Sequence, residues 1–505
     1  MTKKHIPVLV VGLLIVLVAL AGGAVYGINK LIPSRKQMDL TEYYGQNADG
    51  EAALILGTEK LEEKALILGE DVYLPLDVVN GYLNQRYYWD SENKKILYAT
   101  PSSLTEEPAS DKADGNVWLK DDTVYLKLDY VKKYTDIDSY IEQDPARVAI
   151  QYKFTNVETV TTKKDTVIRY RGGIKAPILS KLAKNTVLRL MNEGEDWDQV
   201  ATDDGYIGYI QKKKVSAVDT TDYERDFKTE SYTYLTMDEP VNLAWHQVTS
   251  TDANSYFADA VQNMTGVNVI SPTWFSVTDN SGNISSLASG EYVMQAHEKG
   301  LKVWGLVDNF NENMSTTEVL SKTSSRQNLE NQLITYALKA GLDGINVDFE
   351  SLSEGVGIHF LQFLRELSIQ CHANNLVLSV DNPVPEDFTS HYDRAEQGKV
   401  VDYVIIMGYD EHYVGSDAGS VASLPWVEQG VKDTLSEVAA QRTILAIPFY
   451  TRLWTGSGDN ASSRAMGISE ATKWVSESGM DLTWDDSVGQ YYGRLDSQNG
   501  EQQLW

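Results

Sequence analysis

The residues with the most chemistry to offer form one short run, Asp343-Gly-Ile-Asn-Val-Asp-Phe-Glu350. Apolar Ile345, Val347 and Phe349 alternate with Asn346, Asp348 and Glu350. On a strand the side chains alternate with period two, so the three polar residues share one face. Two carboxyl groups and an amide on a buried face are costly unless they are hydrogen-bonded or used. Acid–base work is one such use, because a carboxyl that keeps its proton near working pH can give it to a leaving oxygen. Glu350 is the candidate acid. Two other readings stay open. Glu350 could cap the next helix while Asp348 accepts backbone bonds, or strand-end carboxylates could hold magnesium. The second lacks a carboxylate cluster on a neighbouring strand, since Asp308 and Asp381 are isolated candidates. No His-x-x-x-His pair suggests zinc. The reading assigns no metal site and no cofactor.

Such a run needs a frame that points one strand end at a cleft. From about residue 230, apolar strands alternate with amphipathic helices of 12 to 20 residues. The predicted strands are Val241–Trp245, Val267–Trp274, Lys302–Val307, Gly344–Phe349, Val377–Val380, Tyr403–Met407 and Thr443–Pro448. Helices are predicted over Arg326–Ala340 and His359–Ala373. Continuous apolar strands alternating with helices imply parallel pairing, and the count points to a TIM-type (β/α)8 barrel over 230–505. The last helix and strand are expected to begin within Tyr491 to Gln503. Catalytic residues of such barrels lie at the carboxyl ends of strands. Aromatics near those ends are Trp245, Trp274, Phe275, Trp304, Phe310, Tyr413 and Tyr450, suited either to stacking sugar rings or to core packing.

Two further segments now make a family resemblance specific. Met407-Gly-Tyr-Asp410 ends the sixth strand, and Pro448-Phe-Tyr450 with Trp454 follows the seventh. Together with Asp343, Asp348 and Glu350 they resemble glycoside hydrolase family 18, the chitinase family. Its signature is Asp-x-x-Asp-x-Asp-x-Glu, and Asn346 stands where the second Asp is expected. An Asn there resembles the branch of spore-cortex N-acetylglucosaminidases. The resemblance implies a substrate-assisted mechanism, an exception to the two-carboxylate scheme. Glu350 would be the acid and then the base. Asp348 would orient the substrate acetamido N–H, and Tyr409 would donate to the acetamido oxygen. Asn346, Asp410, Met407, Trp274, Trp304 and Tyr450 are the substrate-binding candidates. Asn346 is expected to hydrogen-bond Asp348, which should then stay ionised.

The rest of the chain is expected to be accessory, giving a multidomain protein. Residues 37–150 read as a stalk-like α+β region with an internal repeat. Val72-Tyr-Leu-Pro-Leu-Asp-Val-Val79 returns 52 residues later as Val124-Tyr-Leu-Lys-Leu-Asp-Tyr-Val131. Each copy reads as a strand leading into a helix. Tyr88 to Tyr98 reads as a hairpin, and Pro101 to Gly115 as a linker. The region resembles small stalk modules of bacterial surface proteins. Residues 160–216 alternate short β-branched runs with turn clusters, which predicts a small β-barrel. Trp197 with Asp204-Gly-Tyr-Ile-Gly-Tyr-Ile210 resembles a bacterial SH3-type domain.

Ile6 to Ile28 is 23 residues without a charge, enough to cross a hydrocarbon core of roughly 30 Å. It is expected to be an uncleaved single-pass anchor with the catalytic region extracytoplasmic. The net charge of −28 excludes a nucleic-acid partner, which would demand Lys and Arg. It leaves a polysaccharide as partner. The lone Cys371 allows no intrachain disulfide and reads as a buried apolar residue. The expected function is a glycosidase cutting β-1,4 bonds in N-acetylglucosamine polymers, peptidoglycan or chitin. The alternative is a non-catalytic cell-surface glycan-binding protein.

Overall fold

Short apolar runs bounded by Gly, Asn and Asp become the strands of this chain, and the longer mixed segments become its helices. The computed structural model describes residues 10–11, 13–17, 30–456, 461–497 and 500–505. The anchor expected at Ile6–Ile28 therefore lies largely outside the described residues. Among those described, no helix is long and apolar enough to cross a membrane. The chain divides into two compact units, Met1–Tyr87 with Glu107–Thr229, and Tyr88–Glu106 with Glu230–Trp505.

In the first unit the two repeat copies become neighbours. Tyr73, Leu74 and Pro75 pair antiparallel with Lys127, Leu126 and Tyr125. Each strand runs directly into a helix, at Leu76 and at Leu128. Residues 157–221 form an antiparallel sheet of seven strands. Its core is Val160, Ile168, Leu179, Leu182, Leu188, Val200, Ile210 and Val215. The segment expected as a linker carries a strand, Leu104–Ser110. Tyr88–Glu106, expected in the 37–150 region, packs instead with the second unit. There the Tyr88 hydroxyl meets Nδ1 of His359 at 2.7 Å, and the Arg326 guanidinium lies 4.7 Å from the Tyr88 ring centre.

The second unit is built on seven parallel strands in chain order: β1 (Leu243–His246), β2 (Val269–Val277), β3 (Lys302–Asp308), β4 (Gly344–Asp348), β5 (Val377–Pro383), β6 (Tyr403–Met407) and β7 (Thr443–Ala446). Every neighbouring pair is parallel. Among the described residues β1 and β7 do not pair with each other. Helices Thr323–Ala340 and Gly357–Ala373 flank β4, three and two residues longer at the start than predicted. A buried apolar layer between strands and helices unites Ile345, Val347 and Phe349 with Leu333, Phe360 and Phe363. Cys371 lies buried in this same layer. The opposite, inner face closes at its amino end on Val269, Trp304 and Tyr403. Gly344 makes room for that floor, because a Cβ there would sit 2.8 Å from the Trp304 ring and 2.7 Å from the Val377 carbonyl.

After β7 the pattern changes. Residues 450–504 form a five-stranded antiparallel sheet in the order Ser462–Gly467, Tyr450–Thr455, Gly500–Leu504, Gln490–Ser497, Leu482–Asp485. The expected start of a last helix–strand unit within Tyr491 to Gln503 is thereby corrected. Those residues make two strands of an antiparallel hairpin. The many polar residues of Gln490 to Gln503 suit a sheet with one wet face, not a doubly buried parallel strand.

Candidate active site

Register decides which side chains meet. Leu306 lies beside Asn346, and Asp308 beside Asp348. Asn346 lies beside Ser379 and Val347 beside Val380, so Asp348 and Asp381 are the next pair along the same inner face. Asp381 in turn lies beside Ile405, and Pro383 beside Met407. The inner face therefore carries Asp308, Asp348 and Asp381 in one row, with Glu350 and Met407 one step nearer the carboxyl end. Asp308 and Asp381, isolated in the sequence, belong to the same cluster as Asp348.

Asn346 is fully buried. Its Oδ1 accepts from Nε1 of Trp245 at 2.9 Å and from the Ser271 hydroxyl at 3.1 Å, and its Nδ2 donates to Oδ1 of Asp381 at 2.9 Å. Because an indole nitrogen only donates, the amide orientation is fixed. The expected bond from Asn346 to Asp348 is not formed; the amide turns across to β5 instead. Asp348 departs from expectation as well. Burial first, then the charges of Glu350 and Asp308, push its carboxyl up to about 8. That direction runs against the expectation that Asp348 stays ionised. Asp308 is raised by burial, against the lowering bonds from the Phe310 N–H and the Ser276 hydroxyl.

Glu350 lies two residues past the end of β4, where Asn309 grips its backbone from both sides. The Glu350 N–H donates to Oδ1 of Asn309 at 2.9 Å, and Nδ2 of Asn309 donates to the Glu350 carbonyl at 3.0 Å. Burial, and then the charge of Asp410, raise the Glu350 carboxyl above the usual range. Tyr409 leaves the end of β6. Burial raises its hydroxyl, followed by the charges of Asp381, Asp348 and Glu350, which all face it. Its ring lies edge-on to Trp245 at 6.4 Å and to Tyr450 at 6.2 Å. Asp410 adopts φ +61°, a left-handed conformation that Asp tolerates better than most residues. Its Oδ1 accepts from the Tyr450 hydroxyl at 2.7 Å and from Arg452 at 3.2 Å.

Glu350, Asp348, Asn346, Tyr409, Asp410 and Tyr450 thus converge, with Met407 on the adjoining inner face. A model of the glycosyl hydrolases family 18 matches residues 205–505, more than half of the chain. This protein belongs to glycosyl hydrolase family 18.

Among its relatives, the uncharacterized glycosylase YvbX of Bacillus subtilis is 28% identical over 202 residues, covering 38% of this chain and 58% of that protein. The cortical fragment-lytic enzyme of Bacillus subtilis is 22% identical over 196 residues, covering 37% of this chain and 46% of the relative. The chain spans about half the length of the curated relatives it matches. A chitinase structure from Chromobacterium violaceum aligns with a TM-score of 0.47 at 21% identity, over 53% of this chain and 86% of that one.

Within this family 18 fold, two predicted substrate-binding aromatics lie elsewhere. Trp274 is buried under the helices, bonded through Nε1 to Asn254 at 2.9 Å and packed on Tyr292. The register of β2 slips between Thr273 and Phe275. This bulge turns both Trp274 and Phe275 to the outer layer and defeats simple alternation. Trp304 does face inward, but it forms the floor at the amino end of the strands. Asp343, the first residue of the signature, lies at the amino end of β4. It accepts from Lys302 at 2.8 Å, from the Val303 N–H at 2.9 Å and pairs with His297 at 2.7 Å. Trp454 is buried and donates to the Gly419 carbonyl. Phe310 and Tyr413 are exposed. Sequence reading missed Asn309, whose only signal was its place just past a strand end.

Proposed function

We propose that this chain is a retaining glycosidase that cuts β-1,4 bonds of N-acetylglucosamine-containing polymers with help from the substrate's own acetamido group. The observation that carries the reading is the convergence of Glu350, a carboxyl raised by burial, with Asp348 and the Tyr409 hydroxyl at one end of the strands. Glu350 gives its proton to the glycosidic oxygen as the bond to C1 breaks. The acetamido carbonyl oxygen bonds C1 from the opposite face and forms an oxazolinium ion. Asp348 holds the acetamido N–H and balances the positive charge, while Tyr409 donates to the acetamido oxygen. Glu350, now a carboxylate, takes a proton from the water that reopens the ring, so the anomeric configuration is retained.

Peptidoglycan is favoured over chitin as the natural substrate. Supporting this are the cortex-fragment-lytic relative, the apolar Ile6–Ile28 segment and the SH3-like sequence of residues 160–216. The reading places the protein at the cell membrane by a single span, with residues 230–505 outside. Extraction of membranes at alkaline pH should leave the full chain in the pellet, and recovery in the supernatant would reject the anchor. For the chemistry, the test is release of reducing ends from purified peptidoglycan and from chitin oligomers, with Glu350→Gln as control. Removing the acid should lower kcat by about 10²–10⁴-fold. Wild-type release no greater than that of the variant would instead support a glycan-binding protein without catalysis.

A further inference from the structure

Three buried oxygens on this inner face have no hydrogen-bond partner among the described residues: the Ser379 hydroxyl beside Asn346, and two carboxyl oxygens that belong to neighbours. One is Oδ1 of Asp348 and the other is Oδ2 of Asp381. Their strands are adjacent and parallel, and the residues just before them, Val347 and Val380, are in register. Backbones so paired lie about 4.8 Å apart, within reach of two short carboxyl side chains. Buried polar atoms are nearly always satisfied, so two orphans in one row require a common explanation.

We propose that Asp348 and Asp381 hold one proton between them, and that Asp381 is the positioning residue that stores this proton while Asp348 bears charge during the reaction. This rests on the glycosidase reading above for its catalytic part, but not for the pairing itself. Asn346 makes the arrangement directional. Its Nδ2 occupies Oδ1 of Asp381 and leaves only Oδ2 free to turn to Asp348. Trp245 and Ser271 lock the amide so that it cannot offer its oxygen to Asp381 instead. An Asn at 346 cannot store a proton, and Asp381 supplies a carboxyl from the next strand. The titratable groups around the pair are Asp308 on β3, Glu350 just past β4, Tyr392 after β5 and Tyr409 after β6. All are acids, so one shared proton relieves repulsion that two bare carboxylates would suffer. Burial and the nearby charge of Asp348 raise Asp381 in the same direction.

In the resting site the proton bridges the two oxygens and the pair carries a single negative charge. When the oxazolinium forms, the proton moves wholly onto Oδ2 of Asp381, and Asp348 faces the cation as a carboxylate. No proton enters or leaves the pair, and it bridges again once water has opened the ring.

The test follows the carboxyl carbons of the full chain, labelled with ¹³C at aspartate, through a pH titration by NMR. In the wild type the two carboxyls should titrate together, with one proton retained at pH 7. In Asp381→Asn the midpoint of Asp348 should fall by about one unit or more, because a like charge has gone. Asp381→Glu should keep the coupled titration. Should Asp381→Asn fail to fold, Asp348→Asn gives the converse reading, a fall in the midpoint of Asp381. Midpoints that stay put in whichever variant folds would overturn the proposal. Turnover of a chitin oligomer separates the two readings. A wild type no faster than Glu350→Gln rejects the glycosidase, whereas normal turnover with unmoved midpoints rejects only the pairing.

Discussion

The Glu350 carboxyl is raised by burial and by one named neighbour, Asp410, and that makes the pH response of the site predictable. Its acid form must be present when the glycosidic bond breaks, so activity falls as pH rises through its raised value. Asp410→Asn removes the neighbour's charge and also leaves the Arg452 cation unpaired. Both changes favour the carboxylate. The alkaline limb of kcat/KM should therefore move to lower pH, by a few tenths to about one unit. An alkaline limb that stays in place, measured on a chitin oligomer, would show that Glu350 does not set it. At this scale much was legible beforehand. Period-two alternation correctly set Asn346, Asp348 and Glu350 on one face. It could not reveal that Asn346 reaches to Asp381, because the partner of a strand residue depends on register with another strand.

At the scale of elements, all seven parallel strands were legible, because buried parallel strands are written as near-continuous apolar runs. What escaped were the places where an element departs from regularity. The bulge in β2 moves Trp274 out of the expected cleft and into a pocket between Asn254 and Tyr292. Trp274→Ala should therefore behave as a core deletion, destabilising by about 3–5 kcal/mol in urea unfolding. KM for chitin oligomers should stay near the wild-type value; a large rise in KM without loss of stability would return Trp274 to the cleft. Asn309 is the converse case, a loop residue that holds an element end. Asn309→Ala removes two bonds to the Glu350 backbone and should reduce stability by about 1–3 kcal/mol. Loss of orientation at the acid should lower kcat by up to about a hundredfold, with KM little changed. Equal losses in kcat and KM would deny it a positioning role. The antiparallel sheet after β7 was misread for a different reason. Its strands mix Gln, Gly, Tyr and Asp, a pattern that an amphipathic helix start can share over a dozen residues.

Across the whole molecule the dominant fact is charge. There are 72 acidic residues against 44 Lys and Arg, a net charge of −28. A neutral glycan does not feel that field beyond the site, but a polymer carrying carboxylates is repelled by it. The inner face adds to it locally through Asp308 and the single charge shared by Asp348 and Asp381, whereas the charge of Asp410 is offset by Arg452. Salt weakens such repulsion by shortening the screening length from roughly 30 Å at 0.01 M to roughly 8 Å at 0.15 M. The two substrate classes should then separate by ionic strength. With the full chain in neutral detergent, kcat/KM on purified peptidoglycan, which bears peptide carboxylates, should rise about two- to tenfold over that range. On neutral chitin oligomers it should stay flat. A fall with salt on peptidoglycan would mean that a cationic surface on the accessory regions captures the wall, and that this local attraction outweighs the field of the whole chain.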